Sequence, residues 1–474
     1  MKIWIKNKLI ISDPTDEVRQ YCKNELVMDN PDYYKKERMG KWTGNIPEKI
    51  YLYEDMENEL HLPFGCLKDI WMMHRIKEDY LYDIKPIEGL KYESSIKLYS
   101  YQEEAVQGAL KGKNGVLVMP CGAGKTQSGL EIIARIGGKA LWLTHTSELL
   151  NQSRDRANAV FDNVGLGTIT AGKVKIGSHI TFATVQTMAK LDISEYRDMW
   201  DVIIVDEAHH CCGSPTKVTQ FYKVVNSLSA RYKIGLTATP KRKDGLHKSM
   251  FKLLGAKLYE VTKAQVRENT CPVKVIVANT GYQPDYNAVL QGDGTIDYNK
   301  LIDAMVHDEE RLSMIMGVTC VVDGPTMILA NRVEYLERIN WNLNLINRSV
   351  CLSGKGQSKK AKEERRAALA ALNNGELDFI CATYQLAKEG LDVPNLRYII
   401  FATPEQNETT IVQAVGRVER KAEGKEFGTV IDLVDDFGMY YGWANTRQRY
   451  YKKIGAAVVD NWLFEEGKQN ETDS

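Results

Sequence analysis

The sequence predicts an α/β chain with two parallel-sheet domains in tandem behind a small N-terminal α+β domain, and three observations lead there. The 474 residues exceed what one core ordinarily organises, so the chain must divide. From about Leu98 onward, short apolar runs rich in β-branched residues alternate with amphipathic stretches. That is the pattern of strands covered by helices on both faces. The pattern fades near Val261, restarts after Pro272 and shows no short period, which indicates two domains and not a repeat array.

Taken in order, residues 1–92 are expected to form the α+β accessory domain, with a role in nucleic-acid binding. Its start, "MKIWIKNKLIISD", alternates Lys with apolar residues and reads as a strand; it lacks the apolar core of a signal peptide. A hairpin is expected from Lys49–Tyr53 back through Leu60–Pro63. Tyr33, Tyr34 and Trp42, in a segment dense in Lys and Tyr, are either core residues or contacts to nucleic acid. Residues 93–262 carry the runs "GVLVM", "KALWLT", "ITFAT", "DVIIVDE" and "YKIGLTAT". Residues 263–464 carry "VKVIVAN", "TMILA", "SVCLSG", "DFICAT", "YIIFAT" and "GTVIDLV". Residues 465–474 are polar and read as a disordered tail.

Composition narrows the function. Formal net charge is zero, so a polyanionic partner needs a local groove and not a global field. Candidate basic clusters are Lys241–Lys248, Lys355–Arg366 and Arg447–Lys453; the second, with Lys and Glu four apart, is equally a solvated helix face. Nine cysteines without any CxxC argue for reduced thiols in a cytoplasm and against a disulfide framework or structural zinc. No apolar run approaches the roughly 20 residues that cross a bilayer, so a membrane role is not expected.

"VLVMPCGAGKTQSGLEII" (Val116–Ile133) is strand, glycine turn, Lys-Thr, helix: the context of a P-loop. Backbone N–H groups of Cys121, Gly122, Ala123, Gly124, Lys125 and Thr126 would wrap a phosphate at the helix N-terminus. Lys125 would reach the β/γ oxygens of ATP and Thr126 would ligate Mg²⁺. Met119 stands where the general pattern has its first Gly. About 80 residues on, "DVIIVDEAHH" ends a buried strand in two carboxylates. Asp206 would hold Mg²⁺ and Glu207 would polarise the attacking water. The neighbouring His209, His210, Cys211 and Cys212 could suggest zinc, but consecutive side chains point apart and cannot close a tetrahedron. His210 and both cysteines read as the start of the next loop. In "TTIVQAVGRVERK", Gln413, Gly416, Arg417 and Arg420 fall at helical spacing, the arginines three apart on one face. An arginine supplied by a neighbouring domain accelerates such sites, so a cleft closing on ATP is expected.

These residues carry a resemblance. Over roughly Tyr99 to Asp436 the chain resembles the superfamily 2 helicases and translocases, whose motif I often lacks the first Gly. "DEAH" resembles motif II, "GLTATP" motif III, "ATYQLAKEGLDVPNL" motif V and "QAVGRVER" motif VI. The resemblance implies two RecA-like domains, ATP and Mg²⁺ as cofactors, and catalytic roles for Lys125, Asp206, Glu207, Gln413, Arg417 and Arg420. It further implies that Gln102 reads adenine, that Gly390 and Asp392 link strand to nucleotide, and that His209, Thr237 and Thr239 couple the motifs. "LTHTSELLNQ", with His145 in place of Pro, and "ATVQTM" resemble strand-holding segments. They make Thr144, Thr184 and Gln186, with Thr383, Arg447 and Arg449, candidate nucleic-acid contacts. "GLTATPKRKDGL", the "G-x-W-x-G" turn and the tail resemble the branch of XPB-type and phage UvsW-type enzymes. That implies an ATP-driven DNA motor on forked, four-way or R-loop substrates in recombination, repair or replication, in a cytoplasm, the host's if the chain is phage-encoded; a monomer is compatible with the sequence, which does not fix the oligomeric state. The alternatives are an RNA helicase, the motor of a restriction or nuclease system, or a scaffold with a dead nucleotide site.

Overall fold

The structure is a computed structural model and describes all residues except 88, 215–216, 242–243, 353–358, 389–392 and 461–474. Gly390, Asp392, the tail 465–474 and parts of two basic clusters thus lie outside the described residues. The chain forms two compact units, the first Met1–Thr262 and the second from Lys263 onward.

Each apolar run named above contains a strand. In the first unit an eight-stranded sheet runs Lys173–Lys175, Leu166–Thr170, Ile180–Thr184, Ala140–Thr144, Val202–Asp206, Tyr232–Thr237, Asn114–Val118, Lys257–Glu260. All neighbours are parallel except the first edge pair. Val202, Ile203, Ile204 and Val205 are each 0% exposed, as a central strand between two helical layers requires. Burying each contributes about 1.5–3 kcal/mol. The second unit repeats the plan with seven parallel strands, ordered Ser349–Leu352, Phe379–Thr383, Thr326–Ala330, Tyr398–Phe401, Gly428–Val434, Val273–Asn279, Ala457–Asp460.

The N-terminal layer holds a five-stranded sheet, Glu54–Met56, Glu59–Leu62, Leu9–Ser12, Lys2–Ile5, Tyr80–Tyr82. The expected single N-terminal strand is a hairpin, Lys2–Ile5 against Leu9–Ser12. The second hairpin is corrected in register: Glu59–Leu62 pairs with Glu54–Met56, whereas Lys49–Tyr51 pairs with Val27–Asp29. This layer shares one apolar core with the first α/β sheet, Ile3, Ile5 and Ile70 belonging to the same cluster as Met250 and Leu254. The seam is tight, because a Cβ on Gly65 would lie 2.4 Å from the Lys252 carbonyl oxygen. Polar bonds lock it. Lys252 Nζ donates to Asp69 and Tyr21, and Lys233 Nζ, fully buried, donates to the Asn7 and Val225 carbonyls over the Phe64 ring.

Candidate active site

Strand Asn114–Val118 delivers the glycine turn to the C-terminal edge of the first sheet, and helix Lys125–Ile136 leaves it. Gly122 and Gly124 take left-handed φ values of 77° and 78°. A Cβ on Gly124 would stand 2.2 Å from Gln102 Nε2, so this place accepts only glycine. The first N–H groups of the helix have no intrahelical acceptor and sit at the positive end of its dipole. Cys121 to Thr126 therefore form a cradle suited to phosphate. Gln102 is 1% exposed, its Nε2 donates to the Ala123 carbonyl at 2.9 Å, and its Oε1 accepts from Tyr99 N at 2.9 Å. One end of the amide braces the glycine turn and the other caps the start of helix Ser100–Gly112. Tyr99, stacked on Tyr101 and 51% exposed, is the open ring beside it.

Strand Val202–Asp206 ends on the same edge, separated from the P-loop strand only by Tyr232–Thr237. Met119 N donates to the Thr237 carbonyl, tying the turn to motif III. Lys125 Nζ lies 3.9 Å from Glu207 Oε1. Glu207 N donates to Asp206 Oδ1 at 3.0 Å, and Glu207 holds φ 50°, a left-handed conformation that costs a non-glycine residue energy. His209 Nδ1 is 3.2 Å from Thr237 Oγ1 and 3.3 Å from Glu207 Oε2, and Thr239 N donates to Thr237 Oγ1. The structure thus gathers Lys125, Asp206, Glu207, His209, Thr237 and Thr239.

Burial raises both carboxyls, and the environments then separate them. For Asp206 the Glu207 charge adds to burial and holds the group above the usual carboxylate range. For Glu207, Lys125 and His209 outweigh burial and hold it below. A cation at this edge would meet a carboxylate from Asp206 and the hydroxyl of Thr126, one residue into the helix; oxygen donors of this kind suit Mg²⁺.

In the second unit, helix Glu408–Val418 starts at Asn407, whose side chain accepts from Thr410 N. Gln413 is 6% exposed and its buried Oε1 has no hydrogen-bond partner among the described residues. Arg417 lies on the helix and is half-buried. Arg420 follows the cap at Glu419, so the two arginines do not share a helix face as expected; the chain turns first, with Lys263 holding Glu419 at 2.6 Å.

The nucleic-acid candidates divide by burial. Thr144 is 0% exposed and donates to the Thr146 carbonyl, and Thr184, 6% exposed, donates to Thr187 Oγ1. Both hydroxyls are engaged inside the protein, and the open polar side chain of these segments is that of Gln186. Gln186 is exposed and donates to the His145 carbonyl. Thr383 is half-buried and caps Leu386 N. Arg447 is corrected outright: 1% exposed, it is bound to Asp432 at 2.8 Å and belongs to the core. Arg449, two residues on, is exposed.

Residues 95–242 match the family model described as the type III restriction enzyme res subunit, and residues 311–422 match the helicase conserved C-terminal domain. The ATP-dependent DNA helicase uvsW of Enterobacteria phage T4 is 23% identical over 91% of this chain and 91% of its own. The DNA 3'-5' translocase XPB2 of Sulfurisphaera tokodaii is 26% identical over 73% of this chain and 83% of its own. Among solved structures, the DNA-bound type ISP restriction-modification enzyme LlaBIII superposes with TM-score 0.57 at 19% identity, over 80% of this chain but only 32% of that one. Two parallel sheets, a P-loop, "DEAH" on the adjoining strand edge and both matched models lead to one assignment: the chain belongs to the superfamily 2 ATP-dependent helicases, with UvsW-type and XPB-type relatives.

Proposed function

We propose that this chain is a DNA translocase that turns ATP hydrolysis into movement along one strand and so unwinds or branch-migrates forked, four-way or R-loop duplexes in recombination, repair or replication. The observation that carries the hydrolytic part is the meeting of Lys125, Glu207, His209 and Thr237 at one sheet edge. Lys125 binds the phosphates, Glu207 orients water and takes its proton, and His209 with Thr237 fixes the Glu207 side chain. Mg²⁺ held by Thr126 and Asp206 would neutralise charge on the phosphates. Tyr99 offers a ring face to the base. The resemblance gives Gln413, Arg417 and Arg420 a catalytic role as well, and the buried Gln413 carbonyl oxygen lacks a hydrogen-bond partner among the described residues.

DNA is preferred because the uvsW and XPB2 relatives are named as acting on DNA, while a relative named as a putative RNA helicase, 25% identical over 81% of this chain, makes RNA the alternative. The N-terminal layer supports a strand contact: Trp42 is 85% exposed, which removes the core reading, and Lys35, Lys36, Arg38 and Lys41 around it are exposed too. An open ring among cations suits stacking on an unpaired base beside its phosphates. No helix of the described residues is long and apolar enough to cross a membrane. Strand displacement and branch migration on forks, four-way junctions and R-loops, with ATP and with a non-hydrolysable analogue, test the proposal. ATP-dependent product on DNA junctions is expected; product only on RNA duplexes overturns the DNA reading.

A further inference from the structure

Motif II ends in two histidines, and the function above uses only the first. In the structure the second is not the start of an idle loop. His210 is half-buried, with its ring centroid 4.2 Å from that of His209 and 4.3 Å from that of His145, both tilted by about 40°. Phe221, from helix Gln220–Ser227, lies nearly parallel to the His210 ring at 6.5 Å. The three imidazoles make one continuous column. Its buried end is His209, 4% exposed, which contacts Glu207 and Thr237. Its other end is His145, half-buried, whose carbonyl accepts from the exposed Gln186 at 2.7 Å.

The two ends of the column differ in what they touch. Segments 144–146 and 184–187 follow adjacent parallel strands on the sheet edge and hold each other through Gln186. Glu207 sits in a strained left-handed backbone, and its carboxylate faces Lys125 on one oxygen and His209 on the other. Packed rings have few alternative arrangements, so a shift of His145 must be taken up by His210 and then by His209. We propose that His145 and His210 are positioning residues for Glu207, and that a nucleic-acid strand seated on the segment of His145 and Gln186 raises hydrolysis by ordering this column. The inference rests on the reading that these segments touch the strand, and it adds the route by which occupancy reaches the hydrolytic carboxylate.

The test is steady-state ATPase of the full chain, without nucleic acid and with saturating single-stranded DNA, for the wild type, His210→Ala, His145→Ala, the double variant and His210→Phe. DNA-stimulated kcat is expected to fall about tenfold in each alanine variant, with KM for ATP and Kd for DNA within about twofold. The double variant should lose no more than either single one, because one column is broken once. His210→Phe keeps an aromatic ring in the stack and should recover most of the loss, which general destabilisation would not do. Melting temperatures are measured alongside; should His210→Ala fail to fold, His145→Ala and His210→Phe still decide. A stimulated wild type whose variants keep the same stimulation ratio, or losses that multiply in the double variant, overturn the inference alone. A wild type that no nucleic acid stimulates overturns the proposed function and this inference with it.

Discussion

The two parallel sheets are built alike but hold buried charge in different ways. In the first, Lys125 and Glu207 face each other at 3.9 Å, beyond hydrogen-bond reach, with side chains 13% and 15% exposed. In the second, Arg311 meets Asp435 at 2.7 Å and Arg447 meets Asp432 at 2.8 Å, with all four side chains at 0–1% exposure. Arg311 also donates to Tyr335 and to the Ala402 carbonyl, and Asp432 also accepts from Tyr451. A buried charge is tolerable only when its hydrogen-bonding capacity is met. The second sheet meets that demand within the protein and gains fixed geometry. In the first, the Lys125 ammonium and the Glu207 carboxylate stand farther apart than either of these pairs and keep partial exposure.

That contrast is most sharply broken by exchanging consequences. Glu207→Gln keeps the shape of the side chain and removes the base. Turnover is expected to fall by roughly 10²–10⁴, with ATP affinity nearly kept and a stability change within about 0.5 kcal/mol. Lys125→Ala should likewise abolish DNA-stimulated ATPase. Full activity in either variant removes the site assignment. In the second sheet the ranking reverses. Arg447→Ala strands a buried Asp432 and should cost about 3–5 kcal/mol in unfolding free energy, read as a shifted denaturant midpoint. A shift as small as that of Glu207→Gln would show that the tight pairs are not structural.

A third lever is Lys233, which joins the N-terminal layer to the first sheet. Burial, the dominant cause, pulls its ammonium down to about 7. The unfolded chain, with lysine near 10.4, then binds more protons than the fold between about pH 7 and 10.4. Stability attributable to this residue therefore rises with pH across that window and is flat below it, by at most about 1.4 kcal/mol per pH unit. Other thiols and phenols titrate nearby, so the measurement is the difference between wild type and Lys233→Met in denaturant midpoints at several pH values from neutral to alkaline. Parallel curves would mean that the cation is stabilised in place by the Asn7 and Val225 carbonyls and the Phe64 ring.

The strands were legible in the sequence because central parallel strands need short uninterrupted apolar runs rich in β-branched residues. Lys125, Asp206 and Glu207 were legible for a related reason: a strand end followed by a glycine turn or an acidic pair leaves few alternatives. What failed to show was set by tertiary partners. The bond from the Gln102 amide to the Ala123 carbonyl joins residues 21 positions apart, which no local pattern reveals. His210 looked idle because its partner His145 lies 65 positions away. The N-terminal hairpin slipped because Lys49–Tyr51 and Glu54–Met56 are both short and only pairing distinguishes them. Arg420 was placed on a helix face because spacing cannot reveal a cap at Glu419.

The smallest expected effect tests the same distinction within one helix. Gly438–Lys453 carries Arg447 and Arg449 two positions apart, so their side chains leave the helix in different directions. Arg447 is spent on Asp432, whereas Arg449 is exposed. Arg449→Ala should leave the denaturant midpoint unchanged and weaken binding to a DNA fork only a few-fold, uniformly across sequences. The slope of log affinity against log salt should flatten by about one unit, since a single phosphate contact is lost. An unchanged slope would assign Arg449 to solvent and confine the strand contact of this unit to other residues. A fall in stability equal to that of Arg447→Ala would instead mean that the helix as a whole, and not the buried pair, carries the second sheet's stability.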